Sequence, residues 1–98
     1  MIRTTDVSIT TTRQVLGEVS HPSGNGVRTS FTLRIPTGSS VVVSLGGDDV
    51  DAGDGLTLTG GQERGVWDSA KGLPSASQVW HVIGDGTVTG KLTEEYNI

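Results

Sequence analysis

Between Val41 and Leu58 the chain reads VVVSLGGDDVDAGDGLTL, and this stretch limits the fold more than any other. The β-branched run Val41-Val42-Val43 packs well on a pleated surface and loses side-chain freedom in a helix. It breaks at Gly46-Gly47. Aspartates 48, 49, 51 and 54 follow, interleaved with Gly53 and Gly55, and Leu56-Thr57-Leu58 restores the alternation. The stretch reads as strand, tight acidic loop, strand.

The rest of the chain repeats that grammar. Arg28 to Pro36 has a strict period of two, with Phe31, Leu33 and Ile35 on one face and Ser30, Thr32 and Arg34 on the other. Asp6 to Thr12 alternates through Val7 and Ile9, and residues 1–5 are expected to fray. Gln14 to Ser20 is a weaker strand with a bulge expected at Gly17. His21 to Gly26 is a loop, and Pro36-Thr37-Gly38-Ser39 a turn. Ser40–Leu45, Leu56–Thr59 and Gln62–Trp67 are further strands. Residues 68–77 read as a surface loop with room for one helical turn at Asp68–Lys71, capped by Asp68.

Near the C-terminus, Gln78–Gly84 and Thr87–Leu92 flank Asp85-Gly86, the signature of a two-residue type I′ hairpin. That turn would set Ile83 opposite Val88 and gather Val79, Ile83, Val88 and Leu92 on a buried face. Trp80, Val82, Thr89 and Lys91 would share the other face. Seven to eight short strands without an amphipathic helix predict one all-β domain over residues 1–98, an antiparallel β-sandwich or small barrel. Its ends, 1–5 and 93–98, are expected to be flexible or ordered by a partner.

Composition narrows the function. Apolar residues make up 33% of the chain, against the usual figure of about 45–50%, which also counts glycine. The core is therefore expected to be thin. The formal charge of −4 argues against a nucleic-acid surface. No apolar run approaches the roughly 20 residues of a membrane helix, and the first ten residues carry no signal-peptide pattern. A soluble protein made and used without export is expected. There is no cysteine, hence no disulfide framework or thiolate chemistry.

Candidate chemistry is sparse. Asp48, Asp49, Asp51 and Asp54 are the only metal candidates, and calcium is the cation that clustered carboxylates would suit. Counted from Asp49, an EF-hand would need glycine at position 54 and glutamate at 60, where Asp54 and Gly60 stand. Aspartate and glycine also simply form turns, and that reading is preferred. His21 and His81 have no metal-ligand spacing around them. No serine sits in a nucleophile elbow. The expectation is no catalysis, no cofactor and no metal. Trp67, Trp80 and Tyr96 are three of the chain's four aromatics, the residue class that most often anchors interfaces.

The run from Ser40 to Val50, followed by Gly55-Leu56 and Leu58, then Val79-Trp80, Gly86-Thr87-Val88 and Glu94, resembles a pattern in small virion proteins of tailed bacteriophages. The longer connection Gly65–Ser77 departs from it. The resemblance implies a structural protein of the virion, a capsid decoration or cement protein on the capsid exterior, made in the host cytoplasm. Its partners would be the major capsid protein or neighbouring virion subunits, with self-association into a trimer. The expected partner interface is Trp80, Lys91, Tyr96 and Ile98. A carbohydrate-binding or tail or head-fibre module is the alternative reading, and a calcium-binding module the third.

Overall fold

The structure is a computed structural model that describes residues 1–24, 26–66 and 75–97. Among these, eight strands form two antiparallel sheets of four, and there is no helix. In chain order they are β1 (Ile2–Ile9), β2 (Gln14–Val15), β3 (Arg28–Arg34), β4 (Val43–Gly46), β5 (Leu56–Leu58), β6 (Glu63–Val66), β7 (His81–Gly84) and β8 (Val88–Tyr96). The first sheet runs β1-β8-β3-β6 and the second β2-β7-β4-β5. The all-β, two-sheet expectation holds.

One apolar cluster lies between the sheets. The first sheet contributes Ile9, Phe31, Leu33, Val66 and Leu92, and the second Val43, Leu45, Leu58 and Val82. Connections add Leu16, Ile35, Ala76 and Trp80. Phe31, Leu33 and Ile35 do share the inner face that their alternation predicts, as do Val43 and Leu45, while Val41 is only half-buried.

The terminal hairpin does not form. β7 pairs with β4 and β2, whereas β8 pairs with β1 and β3 in the opposite sheet. Asp85-Gly86 is a crossing between sheets, and Gly86 lacks the positive φ that a type I′ turn demands. The Asp85 carboxylate accepts from the Val42 N–H at 2.8 Å, and the Asp85 N–H donates to the Val42 carbonyl at 3.1 Å. This pairing holds residue 85 to the second sheet. Released from the hairpin, β8 has a long partner on each side, which a hairpin with the four-residue β7 would not supply.

The buried face of β7 shifts accordingly. Trp80 and Val82 point into the core at 0% exposure, while Val79 is 50% exposed and Ile83 half-buried. A one-residue change of phase moves every side chain of a strand to the opposite face.

The ends also differ from expectation. Ile2–Thr5 are paired with Leu92–Glu95, so β1 begins at residue 2 and β8 runs to Tyr96. The predicted strand over 14–20 is reduced to Gln14–Val15, and Gly17 has φ of 65°. A Cβ at Gly17 would collide with the Glu94 carboxylate and Leu92. The proposed helical turn at 68–71 lies outside the described residues.

The Gly17 region approaches a charged centre. Arg28 and Glu94 are both fully buried, with Nη1 and Oε2 2.9 Å apart. Arg28 also donates to the carbonyls of Leu16 (3.0 Å), Ala76 (2.8 Å) and Gln78 (3.2 Å). Its guanidinium stacks 4.6 Å from the Phe31 ring centroid. Glu94 accepts in addition from the Glu18 N–H at 3.0 Å and from Arg3 Nη1 at 3.4 Å. Each charge is therefore taken from water only where several hydrogen bonds replace it.

Candidate functional site

The acidic loop is ordered by neutral and cationic groups. Ser44, on β4, is fully buried although it is polar. Its Oγ accepts from the Gly53 N–H at 2.9 Å. Val50, 4% exposed, sits on Gly46, where an added Cβ would meet the valine methyl at 3.1 Å. Arg13 reaches from the β1–β2 connection to donate to the Val50 carbonyl at 3.1 Å and lies 3.6 Å from the Asp51 carboxylate. Gly55, at φ of 65°, passes so close to the Leu45 carbonyl that any side chain would overlap it. The loop therefore folds back as a flap on the outer side of the second sheet, with Val50 inward and Asp48, Asp49, Asp51 and Asp54 exposed.

Replacing Ser44 with Ala removes the acceptor for Gly53. The expected cost is about 1 kcal/mol, with faster amide exchange at Gly53 and little change in the core strands. Hydrogen exchange followed by NMR checks it.

Beside the flap the outer face is apolar. Val15 on β2 is 53% exposed and stands opposite His81 on β7. Val79 lies two residues before His81, on the same side of the alternating chain, as the burial of Trp80 between them requires. Gly47, Asp48, Gln78, Val79 and His81 line a shallow depression of about 340 Å³. The His81 Nδ1 is buried and has no hydrogen-bond partner among the described residues. Exposed valines, a half-buried imidazole and the Asp48 carboxylate thus share one surface. A second depression of about 430 Å³ lies on the outer face of the first sheet, among Asp6, Arg34, Thr37 and Lys91.

The residues expected to form an interface are scattered. Trp80 is in the core, its ring 5.4 Å from Phe31 in an edge-to-face contact and its Nε1–H donating to the Ser75 carbonyl at 3.0 Å. Tyr96 is 2% exposed, and its hydroxyl donates to the Glu18 carbonyl at 2.7 Å. Burial pushes the Tyr96 phenol up from its ordinary value. Neither ring offers a face to a protein partner or a sugar. Lys91 is exposed on the outer face of the first sheet, paired with Asp6 at 2.6 Å. Trp67 and Ile98 lie outside the described residues. Among the described residues no group of three His, Asp or Glu side chains is placed to hold a metal ion.

Val15, Val79 and His81 were not expected as a site. The hairpin register puts Val79 on the buried face, and the weak strand over 14–20 that contains Val15 assigns it no face. Their exposure follows from the phase of β7 and the shortness of β2, and no local sequence pattern signals either. No family model, curated protein or solved structure matches the chain.

Proposed function

We propose that this domain is a structural virion protein of the capsid decoration type, which docks on the capsid shell of a tailed phage and catalyses nothing. The observation that carries the reading is the outer face of the second sheet, where Val15 and Val79, each about half exposed, flank His81 beside a flap rimmed with carboxylates. An apolar centre inside a polar rim is how docking surfaces are built. The flap is held by Ser44, Arg13 and Val50, so its presentation costs little ordering on binding. Its aspartates suit a capsid surface that offers an apolar side chain ringed by lysine or arginine. The resemblance of residues 40–94 to small phage virion proteins supports the same role. One such contact is weak, and repetition over a symmetric shell supplies the avidity.

The test uses capsids that lack the protein. Mixed with them, the parent protein is expected to co-sediment, and Val79→Asp to lose most of that binding while keeping its melting temperature. Lys91→Ala, on the other sheet, is expected to bind like the parent. Binding that survives Val79→Asp and fails with Lys91→Ala would overturn the assignment of the face.

A further inference from the structure

Among the described residues, the long edge of the first sheet, β1, has no neighbouring strand. Met1 and Tyr96 exchange hydrogen bonds, with Met1 N to the Tyr96 carbonyl at 3.0 Å and Tyr96 N to the Met1 carbonyl at 2.8 Å. In an antiparallel ladder the direction of these groups alternates along the strand. Arg3, Thr5 and Val7 therefore point their backbone groups at β8, and Ile2, Thr4, Asp6 and Ser8 point theirs outward. The Ser8 carbonyl fits this assignment, because it accepts from Gln14 Nε2 at 2.7 Å. Among the described residues, nothing pairs with the outward groups from Ile2 to Asp6.

An open strand edge is a template for a further strand, and proteins normally blunt it with shortness, charge, proline or a bulge. The other edges are blunted. β2 has two residues, β5 has three, and β6 has four, including Glu63 and Arg64. β1 has eight residues, IRTTDVSI, with neither proline nor lysine, and its register with β8 runs unbroken from Ile2 to Ile9. Its single outward charge, Asp6, is already paired with Lys91.

We propose that this edge pairs with the same edge of a second copy, antiparallel about a twofold axis through Thr5. Charge selects the register. An axis through Arg3 sets Arg3 against Arg3, and one through Asp6 sets Asp6 against Asp6, both unfavourable cross-strand pairs. An axis through Thr4 sets the apolar Ile2 against Asp6. Beyond Asp6, the Ser8 carbonyl is already taken by Gln14. The Thr5 axis sets Thr4 of one copy against Asp6 of the other, hydroxyl donor facing carboxylate acceptor, twice by symmetry. It also satisfies both backbone groups of Thr4 and Asp6 and places Ile2, 66% exposed, beside Ser8 of the second copy. The two four-stranded sheets become one continuous sheet. Such a pair is closed and isologous, and it replaces the trimer expected from sequence. It leaves the outer face of the second sheet open.

Sedimentation velocity over micromolar to millimolar protein tests the pairing, together with two variants. Thr4→Pro removes an outward N–H and no backbone bond to β8, only the exposed 3.4 Å hydroxyl contact of Thr4 with Thr93, and an edge strand whose N–H faces solvent is a context in which a sheet tolerates proline. The parent is expected to be a dimer at the upper concentrations and Thr4→Pro a monomer of similar melting temperature. Thr5→Cys, the only thiol in the chain, is expected to give a disulfide-linked dimer under mild oxidation, much faster than a cysteine at the exposed Ser77. If Thr4→Pro proves poorly folded, the cross-linking rates decide alone. A parent that stays monomeric throughout, a dimer undiminished in well-folded Thr4→Pro, or equal cross-linking at positions 5 and 77 would overturn the proposal.

Discussion

Replacing Arg28 with Met is expected to cost about 3–5 kcal/mol, the penalty for leaving one member of a buried ion pair without the other. A domain of this size has only about 5–15 kcal/mol in all, so the variant should sit near its unfolding transition. Two effects add. Glu94 stays buried, with only the Glu18 N–H and the longer Arg3 contact to hold its charge. The carbonyls of Leu16, Ala76 and Gln78 lose their donor at the same time. Urea denaturation reads the cost directly. The double variant Arg28→Met, Glu94→Leu should recover part of the loss, because an apolar pair of similar volume removes the uncompensated charge. It should not recover all, because the three carbonyls remain unpaired. A double variant as unstable as the single one would mean that the carbonyl contacts, and not the ion pair, hold this centre.

Trp80→Ala is expected to cost about 3–5 kcal/mol as well, the usual range for emptying a large aromatic site in a core. The indole is fully buried, packs edge-to-face on Phe31, and closes the Ser75 carbonyl with its N–H. Phe31 in turn carries the Arg28 guanidinium, so the cavity would open beside the buried pair. The melting temperature should fall by well over ten degrees, since 1 kcal/mol shifts a domain of 60–100 residues by about 4–8 °C. A tryptophan serving as an exposed docking anchor would leave the melting temperature unmoved, so this experiment separates the two roles.

Trp80 also shows where the sequence stops being legible. Strand positions came from local alternation, and they hold wherever one strand decides its own faces, as Phe31, Leu33 and Ile35 do. Asp85-Gly86 is locally a hairpin signal, but a turn propensity cannot know that β8 will find β1 and β3 on its two sides. Non-local pairing outweighed the turn, and the face of β7 reversed with it. Arg28 is a second case. Parity places it outward with Ser30, Thr32 and Arg34, yet the ladder slips between Arg28 and Ser30 and turns it inward. A bulge of that kind has no signature in this stretch. Glu94, by contrast, shares its parity with Leu92 and Tyr96, and its burial could have been read from that. The proposed docking face was not legible for the same reason as the hairpin, because Val15 becomes a neighbour of His81 only through the β2–β7 pairing and Val79 shares their side only through the phase of β7.

The proposed docking surface lies on the outer side of the second sheet. The most direct measurement is amide hydrogen exchange of the protein, free and bound to capsids that lack it. Docking through this face predicts slowed exchange on binding at residues 47–51 of the flap and 78–81 beside it, with exchange at Arg34, Thr37 and Lys91 on the opposite sheet unchanged. Protection confined to that opposite face, with the flap and residues 78–81 exchanging as in the free protein, would contradict it.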